Sequence, residues 1–399
     1  MVGRTVMRTG GWPTVMRASA VARGWMFARG WTFFGTRFVD ASPSGKKHRS
    51  STDVRPLMPH NRGVSYSRSL PRQSSPESSP ESSPGGSTPS HPIACDSPSR
   101  RDASWRQRHL MPALHEWWDA NARDLPWRFG RTTPWGILLS EVMSQQTPMS
   151  RVAPYWVEWM RTWPDPRALS EASVAEVITA WGRLGYPRRA IRLRECATQV
   201  CERFGGVVPD DYDDLVSLPG IGDYTASAVV SFAYGRRVAV KDTNIRRVLS
   251  RIVDGTESLG GSATSRDREL ADAMLPRDAH DSVVWNQAVM ELGAVVCTAR
   301  TPGCSDCPVS AYCAFLAAGR PGLGERRTRP RQRFEGTDRQ VRGLILDALR
   351  SRPADSPGLS RASVRGLWHD PVQVDSCVAS LDEDGLVEIM PDGSIRLPR

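Results

Sequence analysis

Four cysteines fall within seventeen residues, as Cys297-x6-Cys304-x2-Cys307-x5-Cys313. Four thiolates in one short loop hold either a tetrahedral zinc or a [4Fe-4S] cluster. Zinc sites usually come as two Cys-x2-Cys knuckles, and this run has one such pair. Its uneven spacing, with turns at Pro302-Gly303 and Pro308, favours the cluster without excluding zinc. Clustering of this kind in a long chain also points away from a disulfide framework and toward a reducing compartment.

A second group surrounds Leu218-Pro219-Gly220-Ile221-Gly222-Asp223-Tyr224-Thr225. Glycine lets the backbone turn tightly and approach a ligand. The helix expected to follow opens with free N–H groups and the positive end of its dipole, which suits a DNA phosphate. A Pro-Gly turn alone would merely reverse the chain; Gly-x-Gly at a helix start gives the anion reading. Two acids stand out. Glu141 sits in the mostly apolar Ile137-Leu138-Leu139-Ser140-Glu141-Val142-Met143. Unless it lies on a polar face, burial raises its pKa and makes it a proton donor near neutrality. Asp242 precedes Thr243-Asn244-Ile245-Arg246-Arg247, where the commoner role is an N-cap. The clusters Arg188, Arg189, Arg192, Arg194, then Arg236, Arg237, then Arg246, Arg247, Arg251 read as solvated helix faces. Those after the turns near Tyr186 and Gly222 are also placed for phosphate contacts.

The elements that position these groups are helical. Periodicity from Trp105 onward predicts helices over 113–122, 135–146, 152–162, 174–183, 188–203, 212–217, 224–234, 244–253, 266–274 and 282–296. Turns are expected at Trp163-Pro164-Asp165-Pro166 and Phe204-Gly205-Gly206. An Arg- and Pro-rich linker over 321–336 leads to helices over 340–350, 363–368 and 372–382. A hairpin about Pro391-Asp392-Gly393 follows, the order of a small winged-helix module in 337–399. Residues 1–103 are set apart. They carry 15 of the 53 Lys and Arg and 6 of the 43 Asp and Glu, so the net charge of +10 belongs almost wholly to them. The high pI is therefore no evidence that the remainder binds nucleic acid. Between Pro71 and Arg100, 17 of 30 residues are Ser or Pro, too few apolar groups to offset chain entropy. The first forty have a transit-peptide-like composition, but a disordered arm or an over-extended start is the preferred reading. No run of 18 apolar residues exists in the 399, so no membrane helix is expected.

Taken in order, Leu125-Pro126-Trp127-Arg128, Ser140-Glu141-Val142-Met143-Ser144-Gln145-Gln146-Thr147, Leu184-Gly185-Tyr186-Pro187-Arg188-Arg189, the 218–225 hairpin, the 240–251 segment and the Cys run form a more specific pattern than any part. It resembles the helix–hairpin–helix DNA glycosylases with an iron–sulfur cluster, and within them the adenine DNA glycosylases of MutY type in a short, actinobacterial-like form. The resemblance covers about 110–320. It implies an all-α fold: a six-helix barrel over 128–236, and a cluster domain from 104–127 and 237–320 holding a [4Fe-4S] cluster on Cys297, Cys304, Cys307 and Cys313. It further implies that Glu141 protonates the leaving adenine and that Asp242 stabilises the cationic sugar or bonds to it covalently. Tyr224 and Asn244 would position these acids. Gln146 and Tyr186 would probe or wedge the stack, with Gly220, Gly222 and Arg188 contacting DNA. The partner is then duplex DNA with adenine opposite 8-oxoguanine or guanine. A monomer acting at the nucleoid in a bacterial cytoplasm is expected.

Two alternatives bear on this reading. Endonuclease III-like enzymes remove damaged pyrimidines and cut the strand through a lysine imine. In them the lysine follows the hairpin glycine by two positions, where this chain has Tyr224; Lys241 is the sole lysine after Lys47. A monofunctional enzyme is therefore expected. A non-catalytic cluster protein would have lost Glu141 or Asp242, and both are present. Residues 321–399 are too short for the Nudix-like domain that reads 8-oxoguanine in many relatives, which leaves the strength of that preference open.

Overall fold

Side-chain caps set where most helices begin. Asp165, Ser173, Asp211, Asp242, Thr264 and Asp278 each accept hydrogen bonds from N–H groups in the first turn that follows them. Each such cap stabilises its helix by about 1 kcal/mol. The computed structural model describes residues 103–399 except 259, 326–333 and 354–355, and of 103–107 the backbone only. The arm expected over 1–103 thus lies, but for Ala103, outside the described residues, as does the middle of the expected linker.

The chain runs through α1 (Ala103–Asn121), α2 (Pro134–Ser144), α3 (Met149–Thr162), α4 (Pro166–Glu171), α5 (Val174–Trp181), α6 (Arg188–Phe204), α7 (Tyr212–Val216) and α8 (Asp223–Phe232). It continues with α9 (Thr243–Leu249), a π-turn at Ser250–Asp254, α10 (Ser265–Met274) and α11 (Ala279–Val295). Two 3-10 turns, Cys304–Asp306 and Ser310–Tyr312, precede α12 (Ala314–Ala317). After them come α13 (Asp338–Arg350), α14 (Arg361–Arg365), α15 (Pro371–Glu383), β1 (Glu388–Ile389) and β2 (Ile395–Arg396).

Three apolar clusters organise these helices. The first gathers α2, α3, α5, α6 and α8 around Leu138, Trp159, Trp181 and Val229. The second gathers α1, α9 and α11 around Leu110, Leu114, Val248 and Trp285. The third joins Ile178 of α5 to Val341, Ile345, Val374 and Leu381 of α13 and α15. In the third, β1 and β2 pair antiparallel with Ile389 opposite Ile395, and Leu359 bridges to Ile395, completing a winged-helix order. The described residues are all-α apart from this hairpin and its bridge.

Several boundaries differ from expectation. Helix α1 starts ten residues before the expected 113 and passes through Pro112. Pro112 removes one backbone donor, but buried Leu110, Met111 and Leu114 hold the helix on either side of it. Helix α4 was hidden in an expected turn: Pro166 is its first residue, not a breaker, and Asp165 caps it. The helix expected over 244–253 ends in the π-turn. Among the described residues no helix is long and apolar enough to cross a membrane.

Candidate active site

Glu141 lies on the buried side of α2, where Thr133 caps the helix and Pro134 opens it. The residue is 5 % exposed, so the polar-face alternative does not hold. Burial pushes its carboxyl up to about 7. The Tyr224 hydroxyl works against that rise, donating to Glu141 Oε2 at 2.5 Å, as does the charge of Arg128, while the charge of Asp242 adds to it. Tyr224 itself is pushed well above the usual phenol range by burial and by both carboxylates, so it remains a donor. The three groups form one electrostatic unit.

Asp242 is both a cap and a poised charge. One oxygen accepts from the Ile245 N–H at 2.6 Å and starts α9; the other accepts from the Asn244 side-chain amide at 2.7 Å. Burial pushes its pKa up, and those donors with the nearby Arg247 oppose the rise. Asn244 is aimed in turn by Arg247, which donates to its Oδ1 at 2.9 Å. The same guanidinium reaches the carbonyls of Gly293 at 2.6 Å and Cys297 at 2.8 Å. Arg246, Arg247 and Arg251, expected as a solvated face, are therefore buried. Their side chains satisfy carbonyls and acids inside the second cluster, which a one-dimensional charge run does not reveal.

Sequence reasoning also missed the support beneath Glu141. Glu291 of α11 is fully buried and binds Arg123 and Arg128, at 2.5 and 2.7 Å. Against the upward push of burial, those two guanidiniums hold its carboxyl at about 2. They fix the loop before α2, and with it the Arg128 charge that acts on Glu141.

Gln146 and Tyr186 project from two neighbouring turns. Both have left-handed backbones, φ 55° and 48°, and both side chains are exposed. A single half-buried guanidinium joins the turns. Arg189 donates to the carbonyls of Val142, Met143 and Gln145 at the end of α2, to Thr147 Oγ1, and to the carbonyl of Gly185. It was expected on a solvated or phosphate-binding face; instead it complements the negative end of a helix dipole. Arg188 pairs with Asp384 at 3.1 Å. In the 218–225 turn, Gly220 has φ 78°, whereas Gly222 is extended and an added Cβ there would meet open space. Gly222 thus leaves the uncapped start of α8 clear, and only Gly220 needs the left-handed region.

The four cysteines line one apolar-walled cradle with Arg251, Ile252 and Phe315. Cys297 follows the end of α11, the 3-10 turns carry Cys304 and lead to Cys313, and Arg251 donates to Cys297 Sγ at 3.3 Å. Four thiols gathered on one cradle can hold either a zinc ion or an iron–sulfur cluster.

Comparison with known proteins places this geometry. Residues 139–269 match the HhH-GPD superfamily of base excision DNA repair proteins. The adenine DNA glycosylase of Mycobacterium tuberculosis is 47 % identical over 293 residues, 73 % of this chain and 94 % of that protein. That of Mycolicibacterium smegmatis is 48 % identical over 286 residues, 71 % and 94 % of the two chains. The solved structure of a thermostable thymine-DNA glycosylase aligns with TM-score 0.50 at 26 % identity, over 54 % of this chain and 98 % of that one. A thymine enzyme on the same scaffold means that the fold alone does not choose the base. Near-full-length identity to the mycobacterial proteins does what the scaffold cannot: the chain belongs to the adenine DNA glycosylase family of the helix–hairpin–helix base excision repair superfamily.

Proposed function

We propose that this DNA N-glycosylase excises adenine opposite 8-oxoguanine or guanine and leaves an intact abasic strand. The observation that carries the proposal is the Glu141–Tyr224–Asp242 unit. It sets a carboxyl held near 7 in the field of a second carboxylate anchored by the Ile245 N–H and the Asn244 amide. Departure of a base through a cationic sugar needs a proton at the base and an anion at the sugar, the division of labour of glycoside hydrolysis. Glu141 gives its proton to the extruded adenine, Tyr224 holds Glu141 in place, and Asp242, fixed by Asn244, faces the sugar cation. Tyr224 stands where a lyase would carry its amine, and a phenol forms no imine.

Gln146 and Tyr186 engage the stack around the opposite base. Gly220, Gly222 and Arg188 serve the backbone, Arg188 by exchanging Asp384 for phosphate. Cys297, Cys304, Cys307 and Cys313 hold a [4Fe-4S] cluster, which when bound cross-links the loop between α11 and α12. The three apolar clusters support a barrel over 128–236, a cluster domain from 104–127 and 237–320, and a module over 337–399. The protein is read as a monomer working at the nucleoid.

Single-turnover assays on duplexes with adenine opposite 8-oxoguanine, opposite guanine and opposite thymine test this reading. Free adenine should appear only with the first two, and strand breaks only after alkali. Excision of a pyrimidine, or borohydride-trapped adducts lost on Lys241→Ala, would replace it with the endonuclease III-like alternative. Iron analysis of anaerobically purified protein should give about four irons per chain.

A further inference from the structure

The Tyr186 ring carries two guanidiniums. Arg189 lies 5.7 Å from its centroid and Arg339 lies 5.1 Å from it. Arg189 is committed to the carbonyls of the two turns. Arg339 is not. It is an exposed residue in the first turn of α13, and its guanidinium has no ion pair or hydrogen bond among the described residues.

Its basic neighbours Arg183, Arg188 and Arg342 each have an acid partner. Arg183 pairs with Asp347 at 2.8 Å, Arg188 with Asp384 at 3.1 Å, and Arg342 also binds Asp384. The acid beside Arg339, Asp338, accepts from the Gln373 amide at 2.8 Å. These pairs, with Ile178 in the module's core and Arg350 donating to the Ile178 carbonyl at 3.0 Å, dock the module on α5 and α6. Docking brings to the exposed tyrosine a guanidinium that has no ion pair or hydrogen bond among the described residues.

We propose that Arg339 is a DNA contact supplied by the winged-helix module. When Tyr186 enters the base stack, the guanidinium beside it takes a phosphate of the opened step. The inference rests on Tyr186 acting as the wedge. A guanidinium stacked on an aromatic face keeps its N–H edge free for an anion, and phosphates are the acceptors that flank any opened step. In the sequence, Arg326, Arg327, Arg329, Arg331 and Arg333 lie shortly before α13, so this end of the helix is joined to a strongly basic segment. Opening the stack and holding the backbone are then divided between a ring from the glycosylase body and a cation from the module.

The test uses the full chain and a duplex with an uncleavable adenine analogue opposite 8-oxoguanine. Affinity is measured across salt concentrations for wild type, Arg339→Ala and Arg339→Lys. Alanine should weaken binding several-fold and lower the slope of log affinity against log salt by about 0.9, the value of one phosphate contact. Lysine should restore the slope. Wild-type affinity and slope in Arg339→Ala overturn the proposal, and tighter binding also does so by making Arg339 a restraint on the ring. The wedge is checked separately with 2-aminopurine beside the opposite base. If Tyr186→Ala leaves that fluorescence change intact, the wedge reading fails and takes the proposal with it.

Discussion

Glu141 shows how one position couples chemistry to stability. With the folded-state pKa lifted from 4.5 to about 7, the stability it contributes is complete below about pH 4.5 and is lost as pH rises through about 7. Glu141→Gln should therefore lose excision by ~10²-fold or more while still binding DNA. It should also unfold later than wild type at pH 8, by up to about 3 kcal/mol, with the gain vanishing in acid. Equal denaturant midpoints at pH 8 would contradict the burial argument. Tyr224→Phe removes the hydroxyl that draws this pKa down. The alkaline limb of its single-turnover rate profile should move to higher pH; a shift to lower pH would give Tyr224 a different role. The burial of Glu141, the cap at Asp242 and the gathering of the cysteines were legible because each sits in a local pattern. Arg128 and Glu291 were not, since the two are 163 residues apart and no spacing rule joins them.

At the scale of elements, α9 and α11 approach unusually closely. A Cβ on Gly293 would fall 2.7 Å from Asn244 Cβ and 3.0 Å from the Asn244 carbonyl oxygen. Gly293→Ala should push α9 off α11, costing about 1–3 kcal/mol as an overpacked site. Excision should fall more than DNA affinity, because Asn244 aims Asp242. Unaltered excision would mean that the contact is slack. Most helices were legible from apolar period and caps. What failed was punctuation: the expected first helix began only after Pro112 and Pro166 fell in an expected turn, yet Pro112 lies inside α1, held by packing, and Pro166 begins α4. Whether a proline breaks or starts a helix depends on the neighbours that pack around it, and these are assembled only in three dimensions.

For the whole molecule, the module is part of the folded body rather than an appendage. Ile178 is fully buried with Val341, Ile345 and Leu381, and Val174 and Ile191 pack against the same cluster. Ending the chain at 336 should uncover Ile178, whose burial is worth about 1.5–3 kcal/mol, together with the packed faces of Val174 and Ile191, and lower the thermal midpoint and solubility. A truncated chain as stable as the intact one would make the docking incidental. The helix–helix–helix–hairpin order of the module was readable. Its attachment was not, because Arg183–Asp347 and Arg188–Asp384 join charges that look like ordinary surface residues along the sequence.

Arg247 touches the Cys297 carbonyl with one nitrogen and the side chain that aims Asp242 with another. A displacement of the cysteine loop therefore reaches the Asp242 carboxylate through one guanidinium and one amide. The shared arginine works as a linkage: the shape of the loop and the aim of the carboxylate move together.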